Sequence, residues 1–405
     1  VNLLESSTKA RSDLFIITTL ALGAVLVVSL MYVTIPLIPV FEHHFKASQS
    51  QAIWAGSAFG FAYALGNVVF GTLSDRFRRR TIIGLGLISL TVISIAVGLS
   101  PSLGWLIALR AVQGFIASSF PPVALAYVGD VITPRYRAVA VSIISSGFLL
   151  AGILGQLYSA AVITFLSWSG VFAMISLAYT AVAIFVFRLP AGASPNKDIP
   201  VAKVYGNMIK LLSSKSLLSG YAVAVTVLLS FVAMYSGLGS YVAARFDIHA
   251  EGLMWIRIAG IPAILLSPLA GHYIHRLGGR RILIAGLLTA GAGISLEAWS
   301  GSVLALVLSS VIFVAGISMA VPSAIVLVGQ LGGNARGSAI ALYGFFIFVG
   351  ASLGPLLAAY VMPFGFSILC TVLTAVLVLA AIIAWQGLRH QTDTGVQQAS
   401  PVKAS

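Results

Sequence analysis

Apolar residues fall along this chain in blocks, not in stripes. Twelve stretches, at about 14–40, 52–71, 81–100, 104–129, 137–160, 167–188, 217–243, 252–271, 281–299, 302–329, 337–361 and 364–387, are predominantly apolar and are separated by short polar or basic gaps. A block of ~20 residues crosses a ~30 Å hydrocarbon layer as an α-helix, whereas a barrel strand needs only about 9–11 residues and alternates in polarity. The pattern predicts an all-α integral membrane protein with twelve transmembrane helices. The first block is too long for the core of a secretion signal and lacks a small-residue cleavage site, so it reads as a retained helix.

The one long polar gap, 189–216, opens with Pro190, Gly192, Pro195 and Pro200, a linker composition. Val201, Val204, Tyr205, Met208, Leu211 and Leu212 then recur at helical spacing opposite Lys203, Asn207 and Lys210, which predicts a short interfacial helix. The expected organisation is an N-terminal tail at 1–13, a six-helix bundle at 14–188, the linker at 189–216, a second bundle at 217–388 and a polar, disordered tail at 389–405.

Composition excludes a soluble single-core domain: 59% of the 405 residues are hydrophobic and 8% charged, against about 45–50% apolar in soluble chains. The net charge of +13 does not point to nucleic acid, because the basic residues sit in the gaps between apolar blocks. Those gaps alternate. Lys9 and Arg11, Arg76 to Arg80, Arg135 and Arg137, Arg188 to Lys215, Arg276 to Arg281, Arg336 and Arg389 fall on one side. The gaps at 100–104, 166–170 and 300–302 on the other side have no basic residue, and those at 41–51 and 245–251 are mixed. Basic gaps mark the cytoplasmic side, so both termini are expected there. The single cysteine, Cys370, has no partner within the chain and leaves the redox compartment open. No phosphate-binding glycine loop, no His/Cys cluster at metal spacing and no nucleophile–base constellation is present. The expectation is therefore no enzyme, no cofactor and no metal, with His43 and His44 solvated.

The two halves repeat. Adding 200 to Gly71, Arg76 and Arg80 gives Gly271, Arg276 and Arg280, and Pro122 and Gly129 become Pro322 and Gly329. Arg137 and Gly155 become Arg336 and Gly354 at an offset of 199. Shared offsets at separate places predict two pseudo-symmetric six-helix bundles in parallel orientation. His275 stands where the second copy would carry the acid.

Between the second and third blocks lie Gly71, Leu73, Asp75, Arg76, Arg79 and Arg80, with Arg78 between them. This run resembles the loop signature Gly-x-Leu-x-Asp-Arg-x-Gly-Arg-Arg/Lys of the major facilitator superfamily of secondary transporters, with Arg78 in place of the second glycine. The resemblance extends over nearly the whole chain. It implies the two-bundle fold, with a substrate site near the midplane between halves. It also implies a latch in which Asp75, Arg76, Arg79 and Arg80 join Asp130 and Arg137 across the loop in the outward-facing state.

Arg110, Gln113 and Gly114 share a helix face by i, i+3, i+4 spacing and are similar to the superfamily's fourth-helix motif, which implies a part in proton transfer or substrate contact. Arg110 lies roughly 9 Å inside the outer boundary, at 1.5 Å per residue. The competing reading is snorkelling to the surface. Arg257 and Glu297, near the outer ends of the eighth and ninth blocks, either pair with each other, reach water, or handle proton or substrate. Gly350, Gly354 and Pro355 resemble the superfamily's antiporter motif, as do Gly147 and Gly155 in the fifth block without the proline. Small residues at this spacing equally serve close helix packing. By analogy with the superfamily the cavity is expected between the first, fourth, seventh and tenth blocks, with Tyr32, Thr34, Ser118, Ser230, Tyr235 and Ser318 as candidate lining.

No acid falls near the middle of a block, which tilts the expected substrate toward neutral or anionic molecules. The resulting expectation is a monomeric, multi-pass transporter of the bacterial inner membrane that exports a small organic solute in exchange for protons. The alternatives are an importer or facilitator of an anionic metabolite, and a non-transporting receptor or scaffold on the same fold.

Overall fold

Serine hydroxyls mark where several spans begin. In the computed structural model, which describes residues 2–74, 76–192, 206, 208–248, 250–264 and 277–388, helix α3 (Gln49–Leu73) starts with a reciprocal cap. Ser48 Oγ accepts from the Gln51 N–H, and Gln51 Oε1 accepts from the Ser48 N–H. Each bond satisfies a donor that the helix ladder leaves open. Ser102 and Ser302 accept from the N–H groups of Trp105 and Ala305 at the starts of α5 (Leu103–Ala117) and α13 (Val303–Leu331). The same cap thus recurs at an offset of 200.

Prolines break two spans that hydropathy reads as continuous. The first is α1 (Asn2–Ser29) followed by turns at 30–37 and then α2 (Ile38–Phe45). Pro36 and Pro39 lack the N–H that would extend the ladder. The fourth is α5 followed by α6 (Pro121–Val131), parted at 118–120 ahead of Pro121 and Pro122. The segment expected as an N-terminal tail continues α1 as helix from Asn2, ahead of the apolar span that starts at Ser12. The remaining spans of the first half are α4 (Arg79–Gly98), α7 (Arg137–Val162) and α8 (Trp168–Arg188). The second half continues with α9 (Lys215–Phe246), α10 (Ala250–Ile258), α11 (Ile261–Ile264), α12 (Gly279–Ala298), α14 (Arg336–Val361) and α15 (Phe366–Gly387). Helices α10 and α11 are the described part of the eighth span; its remainder, with Gly271, His275 and Arg276, lies outside the described residues, as do Asp75, most of the linker and the C-terminal tail.

Among the described residues ten helices are long and apolar enough to cross a membrane, and α7, bent by 41° between Phe148 and Leu150, makes an eleventh. With the eighth span these give the twelve-helix, two-bundle fold of an integral membrane protein. The packing shows the duplication directly. In the first lobe α1 packs on α7, α3 on α5 and α4 on α8; in the second α9 packs on α14, α11 on α13 and α12 on α15. In span order these pairs are 1·5, 2·4 and 3·6, repeated as 7·11, 8·10 and 9·12. The lobes meet where α3 packs on α14, and where α10 and α11 pack on α7. These seams, 2·11 and 8·5, are images of each other under the same operation.

The repeated arginines do the same work in both copies. Arg80 Nη1 donates to Leu189 O at 2.7 Å, and Arg280 Nη2 donates to Trp385 O at 2.5 Å. Each guanidinium satisfies a carbonyl at the end of its lobe's sixth span, where the helix ladder leaves acceptors open.

Candidate functional site

Among the described residues Arg110 is the largest fully buried side chain, with no exposure at all. It does not snorkel. Nε donates to Ala55 O at 3.1 Å, Nη2 to Leu30 O at 2.7 Å and Nη1 to Gln113 Oε1 at 2.6 Å, while the guanidinium carbon stands 4.2 Å from the centroid of the Phe59 ring. Gln113 passes the chain on, donating to Ser94 Oγ at 2.7 Å. Leu30 is the first residue after α1 ends, so Arg110 fills an acceptor that the proline-broken first span leaves open. A buried cation is tolerated only when its donors are matched. Here main-chain carbonyls, an amide and an aromatic face supply the match. Gly114, on the same face, lets α3 come close: a Cβ there would stand 2.1 Å from Phe59 O.

The second lobe holds a buried polar group of the opposite character. Glu297 has no exposure, and neither carboxylate oxygen has a hydrogen-bond partner. Arg257 is 3% exposed with its Nε unpartnered. The two do not form an ion pair, and Glu297 is fully buried. Tyr235 interacts electrostatically with both. The Ser310 hydroxyl is next to that of Tyr235 without meeting hydrogen-bond geometry. Ser310 is the residue the 200 offset pairs with Arg110. That relation was available in the sequence as a pointer to this cluster.

At the α3–α14 seam, Ser57 Oγ donates to Ser352 O at 2.9 Å, the Tyr63 and Phe348 rings stand 4.3 Å apart, and a Cβ on Gly71 would lie 3.5 Å from Ala341 Cβ. A narrow pocket opens between the lobes, lined by Met31, Thr34, Ile35 and Ile38 from the broken first span, Gly56 and Gly60 of α3, Val232 of α9, and Ser352 and Pro355 of α14. Of the expected lining only Thr34 is there. Tyr32 packs edge-on against Phe231 across the lobes, at 6.3 Å between centroids. The Ser118 hydroxyl donates to Phe115 O and lies against Gly66 within the first lobe. Ser230 and Ser318 are buried with unpartnered hydroxyls. Gly147 and Gly155 lie against Ala21 and Ser29 of α1, and Gly350 and Gly354 against Val225 and Leu229 of α9. These small residues therefore close the 1·5 and 7·11 contacts within each lobe.

On the arginine-rich face, Arg79 Nη1 pairs with Asp130 Oδ1 at 2.5 Å and donates to Ala126 O at 2.9 Å. Arg137 Nε donates to Ile132 O at 3.0 Å, turning back on its own loop. The Tyr127 hydroxyl donates to Pro190 O at the root of the linker. Asp75 lies outside the described residues.

Two lobes of six membrane spans, related by duplication and enclosing a pocket at their seam, define a multi-pass carrier-type membrane protein. Residues 20–261 and 240–404 match the model of the Major Facilitator Superfamily, and the chain belongs to that family. An uncharacterized MFS-type transporter of Bacillus subtilis, YybF, is 27% identical over 332 residues, covering 80% of this chain and 81% of that one. A bicyclomycin resistance protein homolog of Haemophilus influenzae is 26% identical over 209 residues, 51% of this chain and 49% of its own length. Among solved structures, a bacterial homolog of the human lysosomal transporter Spinster, inward-facing and unoccupied, superimposes with a TM-score of 0.70 over 93% of this chain and 97% of that one. At 16% identity the likeness is one of fold.

Proposed function

We propose that this protein exports a small organic solute by alternating access in exchange for protons, as a monomer in the bacterial inner membrane with its arginine-rich face and both termini in the cytoplasm. The observation that supports the reading is the pair of seams 2·11 and 8·5, about which two bundles can rock; the gap between the lobes is about 10 Å³, so the path is closed to a solute in this arrangement. The residues around that gap are apolar with two hydroxyls, Thr34 and Ser352, and no charge, so a path opened there by rocking would favour a neutral, partly apolar solute. All three guanidinium nitrogens of Arg110 are held by fixed acceptors, so an anionic substrate loses the support that this arginine gave it. On this reading the Arg79–Asp130 pair, with Asp75, forms the latch that closes the cytoplasmic side.

Bicyclomycin, the compound in the name of one relative, is the first probe. Everted vesicles containing the protein should accumulate it under an inward-acid pH gradient, and its addition should dissipate that gradient. Accumulation in right-side-out vesicles alone would establish an importer. A panel of neutral solutes led by bicyclomycin that moves in neither direction would sink the transport reading.

A further inference from the structure

We propose that Glu297, buried within the second lobe and apart from the pocket between the lobes, carries the coupling proton. The inference rests on the proton exchange proposed above and names its site. An ionised carboxylate buried without a hydrogen bond is among the costliest groups a fold can contain. It must either hold a proton or be met by a cation. Arg257 is the buried cation nearest to that role, and the two are not paired.

The repeat shows that the fold does not require an acid there. Helices α4 and α12 run Arg79–Gly98 and Gly279–Ala298, so Glu297 corresponds to Val97, which is also fully buried. An apolar residue fills the equivalent place in the first lobe, and the carboxyl has been added to the second.

Glu297 interacts electrostatically with Tyr235 of α9 and Cys370 of α15, and Tyr235 in turn with Arg257 of α10 and with the Ser310 hydroxyl of α13. Toward the face opposite the arginines, Ser300 is buried and its hydroxyl lies 3.5 Å from that of Ser309, giving a polar approach from outside. Toward the lobe interface, the Tyr235 ring stands 4.9 Å from that of Phe231, which packs on Gly152 and Tyr32 of the first lobe. A proton arriving on Glu297 leaves the carboxyl neutral and Arg257 as the one charge of the cluster. Release of the proton leaves a carboxylate that draws Arg257, and through Tyr235 and Phe231 alters the seam. The proton enters and leaves as such, and no bond of the solute is made or broken.

Two experiments on the full-length protein decide this. Infrared difference spectra of purified protein should show the carbonyl stretch of a protonated carboxyl that shifts in D2O; Glu297→Gln should lack it. Persistence of the band in that variant overturns the assignment, and because no solute is used, this holds whether or not the transport reading survives. In proteoliposomes with bicyclomycin, Glu297→Gln should lose pH-driven accumulation and keep solute exchange at equal pH. Retained accumulation, or loss of exchange as well, overturns it. Glu297→Val, which copies position 97, should melt no lower than wild type; a fall in both variants would make the carboxyl structural and overturn the proposal.

Discussion

Arg110 makes its contacts with main chain, an amide and a ring, and none with an acid. Replacing it by Ala leaves the carbonyls of Leu30 and Ala55 and the Gln113 amide buried without their donor, and should destabilise the detergent-purified protein by on the order of 3 kcal/mol in unfolding experiments. A residue that served only the solute would leave the unfolding midpoint in place. That Arg110 lies deep was legible from its distance to the block boundary. That carbonyls would hold it was not, because the acceptor at Leu30 exists only where the first span breaks. Glu297 shows the converse failure. It stands one residue from the end of α12, so counting from the boundary left contact with water open, whereas in the structure it is fully buried. Leu296 and Trp299, on either side, are 53% and 89% exposed; burial here follows the helix face and not the depth.

At the scale of the element, hydropathy located the spans to within a few residues but could not see their continuity. Pro36, Pro39, Pro121 and Pro122 carried that information and were outweighed by unbroken apolar runs. The small residues were legible as a pattern and ambiguous as a function; the contacts of Gly147, Gly155, Gly350 and Gly354 settle what they touch. Gly350→Ala would place a carbon 2.0 Å from Val225 O, a backbone atom that cannot step aside, and should lower the melting temperature by several degrees. Gly337→Ala, on the same helix with nothing within 4 Å, should be neutral or gain up to about 1 kcal/mol from helix propensity. Thermal unfolding of the pair separates packing from propensity.

For the whole molecule, the offsets of 199 and 200 reappear as repeated helix pairs, caps and carbonyl-binding arginines, so the duplication was readable before any coordinate. The seams were not, since nothing in a single sequence says which spans of two lobes face each other. One seam can now be tested by covalent means. The Cβ separation of 3.5 Å between positions 71 and 341 falls in the disulfide range of about 3.5–4.5 Å. Oxidised Gly71→Cys/Ala341→Cys should stop transport, and a reductant should restore it; the native Cys370 is buried and the single variants serve as controls. Asp130→Asn removes the half-buried pair with Arg79, and should slow turnover more than it weakens solute binding, as measured by flux against equilibrium binding.

The position of Glu297 near the outer end of its helix also decides where electrical work is done. On the proposed orientation and coupling, a proton reaching it from the periplasm crosses little of the membrane voltage, so most of the roughly 2.3 kcal/mol per 100 mV acts on the inward release. A diffusion potential imposed across proteoliposomes should then change the rate of proton departure and leave its arrival nearly untouched.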